Sequence, residues 1–184
     1  MRGWIALSVL LLLLPSALAF ENFLEVVVEL DESGNAFVSY FPSVDTTQNS
    51  TIELPVPLGS YFKVYDYKAS LSFTSEEEKL LIVASEQTPS YLFTLEFFTS
   101  DLTKKAGEYW IVNYSYFDGF QNLVFRIKLP PHSKVFEVYP DGTLSGLSDS
   151  IVTEWAVTEM PDYLFVNYSL PVKDSFSSHE EKSP

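Results

Sequence analysis

The sequence predicts an all-β protein, an antiparallel Ig-like β-sandwich of about nine to eleven short strands. Three observations predict it. Apolar and polar residues alternate with period two over many short segments. Clusters of Gly, Pro, Asn and Asp punctuate those segments. No helical pattern alternates with them, as a parallel sheet would need.

The first strand covers residues 24–30, with Leu24, Val26, Val28 and Leu30 facing inward and Glu25 and Glu29 outward. Asp31-Glu32-Ser33-Gly34-Asn35 is a turn, and residues 36–41 return as the second arm of a hairpin. Further strands are predicted over 50–54, 61–68, 79–85, 91–99, 108–116, 123–128, 134–139, 151–157 and 163–170. Pro55 and Pro57 with Gly59, Gln87-Thr88-Pro89, Asp118-Gly119, Pro130-Pro131, Pro140-Asp141-Gly142 and Met160-Pro161-Asp162 separate them. Ser75 followed by Glu78 resembles a capping box, which predicts at most one helical turn over residues 75–81.

Outside this domain, residues 20–172, lie two segments of different composition. Residues 1–19 read as a signal peptide: Arg2 is the positive start, residues 4–14 are apolar, and Ala17-Leu18-Ala19 is the cleavage pattern. The apolar run is shorter than the roughly 20 residues that span a bilayer. No comparable run follows, so the mature chain is expected to lack a transmembrane helix. Residues 173–184 gather Ser, Glu and Lys and are expected to be a disordered acidic tail. The expected location is secreted or in the cell envelope, outside the cytoplasm.

Charge and composition narrow the function. The net charge is −14, a field that repels phosphate backbones and anionic lipid, so nucleic acid and membrane surfaces are not expected partners. The absence of cysteine removes thiol nucleophiles, thiolate metal sites and disulfides. The 15 Phe and 11 Tyr supply buried area in place of covalent links.

Few residues suggest chemistry. His132 lies in the Leu129-Pro130-Pro131-His132-Ser133 loop with no nucleophile-elbow serine to serve, and His179 lies in the tail. Asp31, Glu32 and Asn35, the run Glu76-Glu77-Glu78, Asp118, and Asp141 with Asp149 form acidic clusters without EF-hand spacing, and read as solvated surface. No catalytic, cofactor-binding or metal-binding residue is assigned, and no cofactor is expected.

Three sequons make Asn49, Asn113 and Asn167 candidate glycosylation sites. Alternation places Asn113 and Asn167 on solvated strand faces, inside the repeated tetrapeptide Val-Asn-Tyr-Ser. In residues 61–67, Tyr61, Lys63, Tyr65 and Tyr67 share one side, so the three tyrosines form a candidate ligand strip if Phe62 and Val64 face the core. Lys104-Lys105 reads as part of a solvated hairpin loop.

The stretch Tyr91-Leu92-Phe93-Thr94-Leu95-Glu96-Phe97-Phe98-Thr99-Ser100-Asp101-Leu102-Thr103-Lys104-Lys105-Ala106-Gly107-Glu108-Tyr109-Trp110, with Leu129-Pro130-Pro131-His132-Ser133-Lys134-Val135, resembles extracellular β-sandwich domains of archaeal secreted or membrane-anchored surface proteins. The resemblance covers about residues 60–170. It implies a fold and an extracellular address, without an activity. The expected function is therefore a non-enzymatic interaction or structural module, its partner a protein or glycan at the cell surface. Carbohydrate binding through Tyr61, Tyr65 and Tyr67, or self-assembly of a cell-envelope component, are the alternatives. The oligomeric state is left open.

Overall fold

A computed structural model describes residues 22–47, 49–57, 60–76, 79–114, 120, 122–147, 150–157 and 163–171. The predicted signal peptide with Ala17 and Ala19, and the tail from residue 173, lie outside the described residues.

The described chain is all-β. Its strands are β1 (Phe23–Leu30), β2 (Ala36–Val44), β3 (Thr51–Pro55), β4 (Tyr61–Tyr65) and β5 (Leu71–Glu76). They continue as β6 (Lys79–Ala84), β7 (Tyr91–Leu92), β8 (Thr94–Thr99), β9 (Thr103–Ala106) and β10 (Tyr109–Tyr114). The last are β11 (Asn122–Lys128), β12 (Lys134–Tyr139), β13 (Thr143–Leu147), β14 (Ser150–Val157) and β15 (Leu164–Ser169). The antiparallel sandwich is as expected. The strands number fifteen among the described residues because three short ones, β5, β9 and β13, have weak patterns, and Phe93 splits one predicted strand into β7 and β8. Where a helical turn was expected over residues 75–81, the described residues are in strands: Ser75 and Glu76 end β5, which pairs with β6 from Lys79 onward. Pairing with a buried Leu80 and Ile82 outweighs a capping pattern that has no amphipathic run behind it.

The strands form one large layer and two smaller sheets covering it. The large sheet has eight strands, ordered β13-β14-β11-β1-β2-β8-β4, with β7 added beside β2. All its pairs are antiparallel except β1 with β11. A four-stranded sheet runs β12-β15-β10-β9, and a three-stranded sheet β3-β6-β5. The predicted hairpin of β1 and β2 is present, and Leu24, Val26 and Val28 are fully buried.

One hydrophobic cluster joins all three sheets. Tyr40 on β2 is its junction. Its hydroxyl donates to the Pro55 carbonyl of β3 at 2.9 Å and meets the Tyr114 hydroxyl of β10, so each sheet supplies one group. Tyr114 packs edge-on against Phe125 of the large sheet, and burial pushes its hydroxyl pKa well above the usual phenol range. Phe62 of β4 meets Phe73 of β5 edge to face at 5.6 Å, closing the three-stranded sheet onto the same layer.

A second seam fixes the four-stranded sheet. Gly34, in the β1–β2 turn, has φ +81°, and a Cβ there would lie 2.1 Å from the Trp110 ring of β10. Only glycine permits both that backbone and that approach. Thr103 of β9 donates its hydroxyl to the Gly34 carbonyl. The Leu-Thr-Lys-Lys-Ala-Gly and Trp segment thus clamps a hairpin turn, and Lys104 and Lys105 lie in β9 rather than in a loop.

Candidate docking face

The large sheet has one face in the core and one turned away from it. On the outer face, register places Tyr61 of β4 opposite Phe98 of β8, and Phe98 opposite Phe37 of β2. This row of three aromatic rings crosses three adjacent strands. Tyr61 is 85% exposed, Phe98 53% and Phe37 42%. Phe41 lies four residues beyond Phe37 along β2, and Leu92 of β7, paired with Ser43, extends the apolar area with 62% of its surface in water.

Beside the row the same face becomes a charge ladder. Lys63 faces Glu96, and Phe37 faces Glu29, whose carboxylate meets Lys128 at 2.9 Å. Arg126 of β11 bonds both Glu25 of β1 and Glu154 of β14, the latter at 2.5 Å. The hydrogen bond that Arg126 donates to the Glu154 carboxylate is the main cause that holds its guanidinium above its ordinary pKa. Half-exposed pairs of this kind contribute about 0–1 kcal/mol each, so the ladder orients more than it stabilises.

The tyrosine strip is exposed, and its make-up differs from expectation. β4 ends at Tyr65, so Tyr67 stands in the following turn, 93% exposed and off the strand. The turn closes early because Asp66 gathers its own donors: the Lys68, Ser70 and Leu71 amides and, at 2.9 Å, the Tyr91 hydroxyl. Burial pulls the Asp66 pKa upward, but these bonds outweigh it and hold the carboxyl below its usual value. The Lys63 ammonium sits over the Tyr65 ring, 4.3 Å from its centre. Tyr61 therefore has Phe98 and Phe37 as companions, rather than Tyr67. Sequence reasoning missed these phenylalanines. The signal was present: each is an apolar residue on the polar side of an alternating strand.

The other candidate residues have structural places. Asp31 accepts from the Ser33 and Asn35 amides at 2.8 Å and closes its own turn. Asp118, Asp149, Glu77 and Glu78 lie outside the described residues. Among the described residues no group of three or more His, Cys, Asp or Glu is placed to hold a metal ion. His132 caps an exposed corner with φ +62°, where the Ser133 hydroxyl donates to Pro130 at 2.7 Å. Val112, Asn113 and Tyr114 of the first repeat lie on the strand beside the second, with Val112 paired to Val166. Asn49 and Asn113 are exposed. Asn167 is not freely solvated: on a central strand between Ile111 and Glu137 its Oδ1 is buried.

No protein-family model matches the chain, and no curated protein sequence matches it. Among solved structures, an aminopeptidase N family protein from Idiomarina loihiensis has a similar fold, with TM-score 0.51 and 16% identity over 78% of this chain. The match covers 29% of that protein's chain. An M1 zinc metallopeptidase from Deinococcus radiodurans aligns with TM-score 0.43 and 11% identity, over 80% of this chain and 41% of that one. The chain thus spans less than half the length of either protein. The first likeness corrects the expectation of a non-enzymatic interaction or structural module, together with its carbohydrate-binding and self-assembly alternatives. The shared fold is that of a segment within an enzyme's chain.

Proposed function

We propose that this chain is the β-domain of an exported peptidase-type system and docks on the catalytic peptidase unit of that system through the outer face of its large sheet. The row Tyr61, Phe98 and Phe37 carries this reading. Monomeric proteins seldom leave adjoining large apolar side chains in water, and exposed aromatic rows with a polar border mark protein interfaces. The charge ladder of Glu25, Arg126 and Glu154 supplies that border. The fold likeness supports the nature of the partner, since the comparable fold occupies 29% of an aminopeptidase N family chain and the remainder accompanies it. The leader predicted over residues 1–19 supports export.

Two measurements test this. The purified full chain, with and without zinc, is expected to release no chromophore from aminoacyl nitroanilides, and chelator-sensitive turnover by the chain alone would overturn its dependence on a catalytic partner unit. A photoreactive phenylalanine at position 98, introduced in cells of the source organism, is expected to cross-link to a protein with the His-Glu-x-x-His zinc motif. Adducts only with proteins lacking a peptidase motif, or no adduct, would overturn the docking assignment.

A further inference from the structure

The three sequons are not equivalent in the folded chain. Asn49 is exposed just before β3, the edge of the three-stranded sheet. Its Oδ1 accepts the Thr51 amide at 2.9 Å, an Asx turn. That bond holds the side-chain oxygen inward and leaves the amide nitrogen in water, with Thr51 exposed beside it. Asn113 is exposed on β10, between the inward Val112 and Tyr114, and so on the outer face of the four-stranded sheet. Asn167 shares that outer face, but its Oδ1 is buried between two flanking strands.

We infer that Asn49 and Asn113 are N-glycosylation sites and that Asn167 is left unmodified. The co-reactant is a polyprenyl-phosphate-linked or polyprenyl-diphosphate-linked oligosaccharide. The amide nitrogen forms a bond to the sugar C1 and loses one proton. The bond from C1 to the phosphate oxygen breaks, and the lipid phosphate or diphosphate leaves with its electron pair. A glycan at Asn49 or Asn113 extends into solvent without moving a packed side chain. One at Asn167 would have to displace its neighbours on β10 and β12. No sequon lies on the outer face of the large sheet, so the sugars leave the row of Tyr61, Phe98 and Phe37 bare. The inference rests on export and stands apart from the identity of the docking partner.

The test is expression of the full chain behind a host leader in a glycosylating secretory host. The whole lumenal pool is treated with a peptide N-glycosidase in heavy-oxygen water and mapped by mass spectrometry. Labelled aspartate is expected at positions 49 and 113, with position 167 remaining asparagine, and N49Q is expected to remove one glycan. Unlabelled position 49 or 113, or occupancy at 167 equal to that at 49, would overturn the assignment.

Discussion

On strand β2, Tyr40 points inward while Phe37 and Phe41 point outward, so neighbouring aromatic residues meet opposite environments. Tyr40 is wholly buried, and its hydroxyl is bonded to groups from two other sheets. Phe37 and Phe41 have roughly two fifths of their surface in water. The inner ring is explained by the fold that it closes. The outer rings add little to that fold, which is why they point to a partner. Aromatic content alone does not separate the two roles; the face does.

That contrast can be broken most severely at the inner ring. Tyr40→Ala removes a buried ring and leaves the Pro55 carbonyl without this donor, and is expected to destabilise the fold by about 3–5 kcal/mol. Tyr40→Phe keeps the ring and is expected to cost about 1–2 kcal/mol. Urea unfolding of both variants checks the pair, and a Tyr40→Phe protein as stable as the parent would show that the hydroxyl junction is not what matters. At the second seam, Gly34→Ala forces a side chain into Trp110 at a left-handed backbone position, with an expected cost of about 2 kcal/mol. Near-ultraviolet circular dichroism of the tryptophan band reports the same displacement.

Acid sharpens the comparison at the turn that ends the exposed strip. Asp66 has a pKa lowered by folding, so its contribution is fully present above the unfolded value of about 3.9 and is lost as pH falls through the folded value. Stability is expected to drop as pH falls below about 4, and the drop should be smaller in Asp66→Asn. Thermal melts across that window check the sign. The smallest stability effect belongs to the outer row. Phe37→Ser with Phe98→Ser is expected to change stability by within about 0.5 kcal/mol per site. Cross-linking from position 61 to the peptidase partner should meanwhile fall at least about tenfold, as when a hot spot is removed. A large stability loss with unchanged cross-linking would assign these rings to the fold instead.

Much of the fold was legible locally. The alternation in residues 24–30 places four apolar side chains inward, and it does so in the structure because a strand's two faces follow from its own geometry. β9 was not legible, since Thr-Lys-Lys-Ala carries no alternation and becomes a strand only by pairing with β10. β5 was obscured by a capping pattern that its pairing with β6 overrides. Of the candidate site, Tyr61 and Tyr65 were readable as the outward side of one strand. Tyr67 was misplaced, because Asp66 ends the strand with donors that include Tyr91, a residue distant in sequence.

The sequence by itself determined where most of the longer strands lie, which side of most of them is apolar, and that thiol chemistry has no residue to use. Those properties depend on neighbours two positions apart, or on composition. Only the tertiary structure decided that Phe37 and Phe98 stand beside Tyr61, that Trp110 closes over Gly34, and that Asn167 is half covered while Asn113 is open. These depend on which strands pair across long stretches of chain. That choice is made by the burial of the whole core, and no single segment encodes it.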